Sequence, residues 1–231
     1  MDEVTFAQLV GLDDRHLISL PVALGNGETS LARGAGEAFR LLADAARQEG
    51  MALKVVSGYR NFERQLAIWN AKALGQRPVY SDCGVPIDAL ALDERERAFA
   101  ILRWSALPGA SRHHWGTDID VCDEAAMPVA YQLQLSAAEC EPGGVFHHLH
   151  CWLDQRIADA TAMGFVRPFA VDAGGVAPEP WHLSFAPEAV YFERHWDDDA
   201  YRKFLASQPL ELKSSVLAHY DEIRERFLPC Y

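Results

Sequence analysis

Apolar residues recur at helical spacing through much of the chain and give way to short β-like runs in its middle. Leu31, Ala35, Ala38, Phe39, Leu42 and Ala46 fall on one face of a helix predicted from Leu31 to about Gln48. Ser30 is placed to cap it and Gly50 to stop it. Phe62, Leu66, Trp69 and Ala73 form a second stripe, with Asn61 as cap and Gly75 as stop. Further helices are predicted over Ala89–Ser105, Val145–Met163, Tyr201–Ser207 and Leu210–Phe227, and a short one over Phe6–Val10. Leu53–Val56 reads as a strand. Phe165–Val171 and Trp181–Phe185 read as two more, joined by a hairpin turn at Asp172–Gly175. Leu17–Leu24 is apolar through Pro21, and residues 76–88 and 122–144 have the look of loops. Helices come first, then short strands, then helices again. This order predicts an α+β fold, a small antiparallel sheet flanked by helices, and not an alternating β-α-β chain.

The composition adds limits. With 231 residues, 49% of them apolar and 23% charged, the chain can build a sizeable core. One domain over 1–231 is expected, with residues 187–231 as a helical C-terminal extension whose role is packing or association. A formal charge of −12 disfavours generic nucleic-acid binding. It leaves room for an anionic small substrate, because a local arginine can dominate inside a cleft. The five cysteines (Cys83, Cys122, Cys140, Cys151 and Cys230) are scattered and odd in number, so a fully paired disulfide framework is excluded. The first residues carry acid where a secretion signal carries base, and no run approaches the ~20 apolar residues of a membrane helix. The expected compartment is therefore the cytoplasm, or the periplasm if the N-terminus has been trimmed.

The densest chemistry lies in Ser111–Asp120, which holds His113, His114, Asp118 and Asp120 around Gly116. A second stretch, Glu179-Pro-Trp-His182, complements it. Catalytic zinc takes imidazole and carboxylate ligands and keeps one position open for water. His113, Asp120 and His182 supply such a set. An odd offset separates His113 from Asp120, which would put them on opposite faces of one strand; a turn at Gly116-Thr117 resets the alternation. Glu179 sits between two prolines that bar a helix, and a glutamate held beside the metal suits a general base.

These motifs, S-x-H-x(6)-D from Ser111 and E-P-W-H from Glu179, resemble those of the VanY-type D-alanyl-D-alanine carboxypeptidases, zinc peptidases that share a fold with the hedgehog signalling domain. Ser57-Gly-Tyr-Arg60 with Gln65 resembles the family's S-G-Y-R-x(4)-Q motif, and Gly164-Phe165 also fits. The motif-bearing part runs over about residues 50–186. The resemblance implies one zinc ion on His113, Asp120 and His182, with Glu179 as base. It implies Arg60 at the scissile carbonyl, and Ser111 and Gln65 on the substrate's terminal carboxylate. The implied partner is a peptidoglycan peptide ending in D-alanine. A dipeptidase, a muropeptide endopeptidase and a non-catalytic zinc module of the hedgehog kind are the alternatives.

Two residues depart from the family pattern, Asp118 where a small residue is usual, and His114 after the ligand. Asp118 is expected behind the ligands or capping a loop, with direct metal ligation as the rival. His114 is expected as a hydrogen-bonded wall residue. His147, His148 and His150 are expected as exposed or capped imidazoles, Cys122 as a small buried thiol and Trp181 as core.

Overall fold

The computed structural model describes residues 4–82 and 84–228. A short helix, α1 (Phe6–Leu9), leads into an antiparallel ribbon of β1 (Leu17–Leu20) and β2 (Thr29–Ala32). Helix α2 (Arg33–Gln48), strand β3 (Leu53–Ser57) and helix α3 (Phe62–Ala73) follow. A second ribbon, β4 (Val79–Tyr80) with β5 (Pro86–Ile87), precedes α4 (Glu94–Leu102). The middle of the chain holds β6 (Asp118–Asp123), α5 (Ala137–Cys140), α6 (His147–Ala158), β7 (Phe165–Val166) and β8 (His182–Phe185). Helices α7 (Ala186–Arg194), α8 (Asp198–Ser207), α9 (Lys213–Ala218) and α10 (Tyr220–Phe227) come last.

The main sheet has the order β3-β6-β8-β7 and is antiparallel throughout, as the α+β reading expects. Side chains alternate across it. Ile119, Val121 and Leu183 point into a core with Phe39 and Leu42 of α2 and Leu149 and Leu153 of α6. Asp118, Asp120, His182 and Ser184 therefore share the other face. A second core joins Trp69, Ile101 and Trp115 to Tyr201, Val216 and Tyr220 of the last helices.

Those last helices brace the segments that approach the site. The Tyr201 hydroxyl donates to Pro108 O at 3.0 Å, just before Ser111. Trp69 Nε1 donates to Glu211 O at 3.0 Å. Arg226 Nε donates to Gly174 O at 2.9 Å, in the approach to Glu179. Gly175 must be glycine, because a Cβ there would run into the Arg226 carbonyl.

Several boundaries differ from the sequence expectation. Ser30 does not cap α2; it lies in β2 opposite Ser19, and α2 begins at Arg33. The cap comes instead from Glu188, whose carboxylate accepts the Gly34 and Ala35 amides at 3.1 Å each. A residue 154 positions away cannot be read from local pattern. Asn61 does cap α3, accepting from the Arg64 amide at 2.9 Å. On α3 the fully buried position beside Trp69 is Gln65, while Leu66 is half-buried. Helix α4 starts later than expected, at Glu94 behind an Asp93 capping box. The last expected helix is broken into α9 and α10 at His219. Strands β7 and β8 pair as expected, but no tight hairpin joins them, since 167–181 is an irregular crossing that carries Glu179. Cys122 and Cys140 are buried free thiols and Cys151 is exposed; Cys83 and Cys230 lie outside the described residues. No helix among the described residues is long and apolar enough to cross a membrane.

Gly116 sits at φ +71°, between a 3₁₀ turn over Arg112–Trp115 and β6. A Cβ there would press on Leu17 and come within 2.9 Å of the Ala32 amide nitrogen. Gly116→Ala should cost about 2–4 kcal/mol of stability, measured by urea unfolding, through both the left-handed backbone and the clash.

Candidate active site

The site is assembled where two turns are laced together by one backbone bond and two imidazoles. One is Ser57–Arg60 at the end of β3, the other the 3₁₀ turn over Arg112–Trp115. The Arg60 amide donates to His113 O at 3.1 Å, and His113 Nδ1 donates to Gly58 O at 2.9 Å. His114 Nδ1 donates to Arg60 O at 2.5 Å, while its Nε2 accepts from the Gly109 amide at 3.0 Å. Burial holds His114 neutral, with its pKa pushed down to about 3, as this donor–acceptor role requires. It is the wall residue that the sequence suggests.

The lacing leaves His113 Nε2 facing Asp120 Oδ2 at 3.4 Å. On β6, Asp120 stands opposite His182 of β8, whose Nδ1 lies 3.1 Å from Asp120 Oδ1. One donor atom from each of His113, Asp120 and His182 falls within 4.8 Å of the others, and all three residues are buried. Two carboxylates face His182. Burial opposes its protonation, but hydrogen bonds to Asp118 and Asp120 prevail and raise its pKa to about 10. The pocket thus demands positive charge between its carboxylates. Two imidazoles and one carboxylate, converging and buried, fit a divalent cation with N/O preference.

Asp118 completes the arrangement from behind. Its Oδ1 accepts from Thr117 Oγ1 and Ser184 Oγ, both at 2.8 Å. Its Oδ2 accepts from Arg112 Nε at 2.6 Å and His182 Nε2 at 2.9 Å. A carboxylate offers about four acceptor positions, and all are used. Burial works against the Asp118 charge, yet Arg112 and His182 hold the group ionised, well below the ordinary carboxylate range. This fixes the His182 ring so that Nδ1 turns inward. Asp118 is accordingly not one of the three converging groups. Arg112, which sequence reasoning passed over, also reaches Ser184 Oγ at 2.8 Å and Glu193 Oε1 of α7 at 2.7 Å. The signal was present: a buried acid with no assigned partner calls for a cation, and Arg112 adjoins the ligand.

Glu179 Oε2 lies 3.7 Å from His182 Nδ1. Its backbone is pinned at both ends, the amide donating to Phe169 O at 3.0 Å and the carbonyl accepting from the His182 amide at 3.0 Å. Burial lifts its pKa to about 7, reinforced by Asp120 and opposed by His182, Arg60 and Lys72. A carboxyl poised there can take up or release a proton near neutrality.

Arg60 points its guanidinium along the same side. Nη1 donates to Gln65 Oε1 at 2.8 Å and Nη2 to Ser57 Oγ at 3.2 Å, while Nε is buried without a hydrogen-bond partner. Gln65 is held at both ends by the protein. Its Nε2 donates to Ala106 O at 2.7 Å, so both ends of its amide are bound to protein and the side chain steers Arg60. Ser111 is buried two residues before His113, and its hydroxyl does not cap the turn. Trp181 is core, as expected. His150 is buried and held neutral by desolvation, while His147 contacts Cys151 and the Cys140 carbonyl, and His148 is exposed. Among the described residues no second cluster of three ligands forms.

A sequence model of the VanY family, described as D-alanyl-D-alanine carboxypeptidase, matches residues 28–188. The chain belongs to the VanY family. It is accordingly an enzyme, a peptidase of the kind directed at peptidoglycan peptides. The chain is similar to an uncharacterized Haemophilus influenzae protein, 39% identical over 105 residues, 46% of this chain and 71% of that one. An Enterococcus faecalis D-alanyl-D-alanine carboxypeptidase is 29% identical over 147 residues, 62% of this chain and 44% of its own length. The D,D-pentapeptidase VanY of a VanB-type resistance cassette, solved with Zn(II), shares the fold. Its TM-score is 0.52 at 21% identity, with 88% of this chain and 92% of that one covered. The LD-carboxypeptidase LdcB does too, with TM-score 0.54 at 21% identity and coverage of 89% and 79%.

Asp118→Asn leaves the three donors in place but weakens the grip on His182. It should lower zinc affinity by roughly 10–100-fold in a competitive chelator titration, while Asp120→Ala should abolish stoichiometric binding.

Proposed function

We propose that this VanY-family protein is a zinc-dependent carboxypeptidase that removes C-terminal D-alanine from peptidoglycan peptides, with one ion held by His113, Asp120 and His182. The observation that carries the reading is Glu179. A buried acid with a pKa near 7, 3.7 Å from the inward nitrogen of His182, is placed to move protons at the point where the three donors converge. Bound there, zinc would supply Lewis acidity toward a carbonyl oxygen and lower the pKa of water toward roughly 7.

The chain's own residues do the rest. Glu179 accepts a proton from the attacking water and returns it to the leaving amine. Its raised pKa suits it to hold and release a proton near neutral pH. Arg60 turns its guanidinium toward the oxygen on which negative charge develops, held for that purpose by Gln65 and Ser57. Ser111 offers a hydroxyl to the peptide's C-terminal end. Lacing of the two turns sets these groups before substrate arrives, so little reorganisation accompanies the reaction. Residues 1–231 act in this reading as one peptidase domain, with the last helices as its brace.

A non-catalytic metal module has no use for a pinned, half-ionised acid beside its ligands, and family membership agrees with an enzyme. Mass spectrometry of products from a stem pentapeptide separates the enzymatic outcomes. Loss of one alanine supports the reading; loss of a dipeptide or internal cutting replaces it with the dipeptidase or endopeptidase alternative.

Two results are expected from variants and metal removal. Glu179→Ala should lower kcat by about 10³-fold or more while zinc content by atomic absorption stays at the wild-type level. Dialysis against a chelator should abolish turnover and added zinc should restore it; full activity in the metal-free protein would refute the metal role.

A further inference from the structure

Lys72 is a largely buried cation that neither the motifs nor the ligand set uses. It lies on α3 seven residues after Gln65, so the two share one face, together with Trp69. That face runs along the segment 105–106. Gln65 Nε2 binds Ala106 O, and Lys72 Nζ donates to Ser105 Oγ at 2.7 Å. From this position the charges that act on Lys72 are those of Glu179, Arg60 and Arg77. Lys72 therefore looks onto the proposed base and the proposed oxyanion arginine.

The charge balance of this corner is unusual for the molecule. The chain carries a net −12, yet here Glu179 is met by Lys72, Arg60 and Arg77, while the nearby Asp120 is turned to His113 and His182. Lys72 forms no ion pair within 4.0 Å among the described residues; its bonded neighbour is a neutral hydroxyl. Burial disfavours its charge, and the pKa is pushed down to about 8, which leaves the ammonium charged at neutral pH. A cation removed from water without a counter-ion is costly. The cost is recovered when an anion arrives. Arg60 is likewise bonded only to the neutral groups of Gln65 and Ser57, but the reading above gives its charge to the developing oxyanion, and Ser111 offers no charge, so a second cation is needed for a free carboxylate.

We propose that Lys72 is the counter-ion for the free C-terminal carboxylate of the peptide substrate, and that it makes the site an exopeptidase. The inference rests on the peptidase reading above. A chain that continues past the scissile bond, or ends in an amide, brings no charge to Lys72 and leaves it buried and unpaired. The ammonium thus rejects internal bonds as well as favouring terminal ones. Ser105 holds the side chain in position, and the shared face of α3 ties carboxylate recognition to the residue that steers Arg60.

The test compares zinc-loaded wild type, Lys72→Met and Lys72→Arg on a peptide ending in D-Ala-D-Ala and on its C-terminal amide. The wild type should prefer the acid by about 30–300-fold in kcat/KM. Lys72→Met should lose that preference, chiefly through a raised KM on the acid with the amide unchanged, and Lys72→Arg should restore part of it. In a Glu179→Ala background, calorimetry should show the acid binding more tightly than the amide, and Lys72→Met should erase the difference. If Lys72→Met keeps the wild-type preference, the proposal is wrong. If the loss falls in kcat with a displaced pH profile, Lys72 serves Glu179 and not the carboxylate, and the proposal is equally wrong. If the wild type neither cleaves nor binds either peptide, the peptidase reading fails and takes the carboxylate role with it.

Discussion

The buried pair of Asp118 and Arg112 is the interaction on which the rest of the site depends. Asp118 is wholly removed from solvent, and a carboxylate there is tolerable only because every acceptor position is filled. Two donors, Arg112 and Thr117, come from the stretch before β6 and two, His182 and Ser184, from β8, while the acceptor heads β6. Satisfying one charge therefore fixes three segments relative to one another. Arg112 extends the network to Glu193 on α7 and spreads its guanidinium over the Trp115 ring at 4.8 Å. The orientation of His182 follows from this network, not from any property of His182 itself.

A division of labour between the sheet's faces follows. The apolar face, through Ile119, Val121 and Leu183, packs against α2 and α6 and supplies the hydrophobic stabilisation. The polar face gives up that stabilisation to hold four ionisable or hydroxyl groups in a row across β6 and β8. Its position is further set by the lacing of residues 58–60 to 113–114. One backbone bond and two imidazoles that donate to backbone carbonyls make it, so the histidines themselves hold the two turns together. Arg60 is held by its amide, its carbonyl and its guanidinium, which is why a long flexible side chain can serve as a fixed electrostatic element.

Much of this was legible in the sequence, and the reasons for the remainder are physical. The donors His113, Asp120 and His182 could be named because metal ligation restricts residue type severely, and Gly116 announced the turn between the first two. Helices α2 and α3 announced themselves through apolar spacing. The partners of Gln65 are not legible because a carboxamide can face protein or substrate with equal chemical sense; in the structure it faces Arg60 and Ala106. Glu188, Arg112 and Lys72 were missed for a shared reason. Each acts through partners brought together by tertiary folding, and surface-type residues carry no local mark of burial. The crossing at 167–181 was misread as a hairpin because Gly174-Gly175 mimics a tight turn, whereas Gly175 is glycine to admit the Arg226 carbonyl.

The Glu188 carboxylate that closes the first turn of α2 has a consequence for how the protein is made. Residues 34 and 188 are separated by 154 positions, and His182 is synthesised only shortly before Glu188. At a translation rate of about 5–20 residues per second, the amides of Gly34 and Ala35 wait roughly 8–30 s for their partner. By the end of that interval His113 and Asp120 have been synthesised, and His182 has only just joined them. The nascent chain thus gains its helix cap and the last member of the His113, Asp120 and His182 cluster within moments of each other. Closure of the first turn of α2 and assembly of that cluster become neighbouring events in synthesis, instead of separate ones.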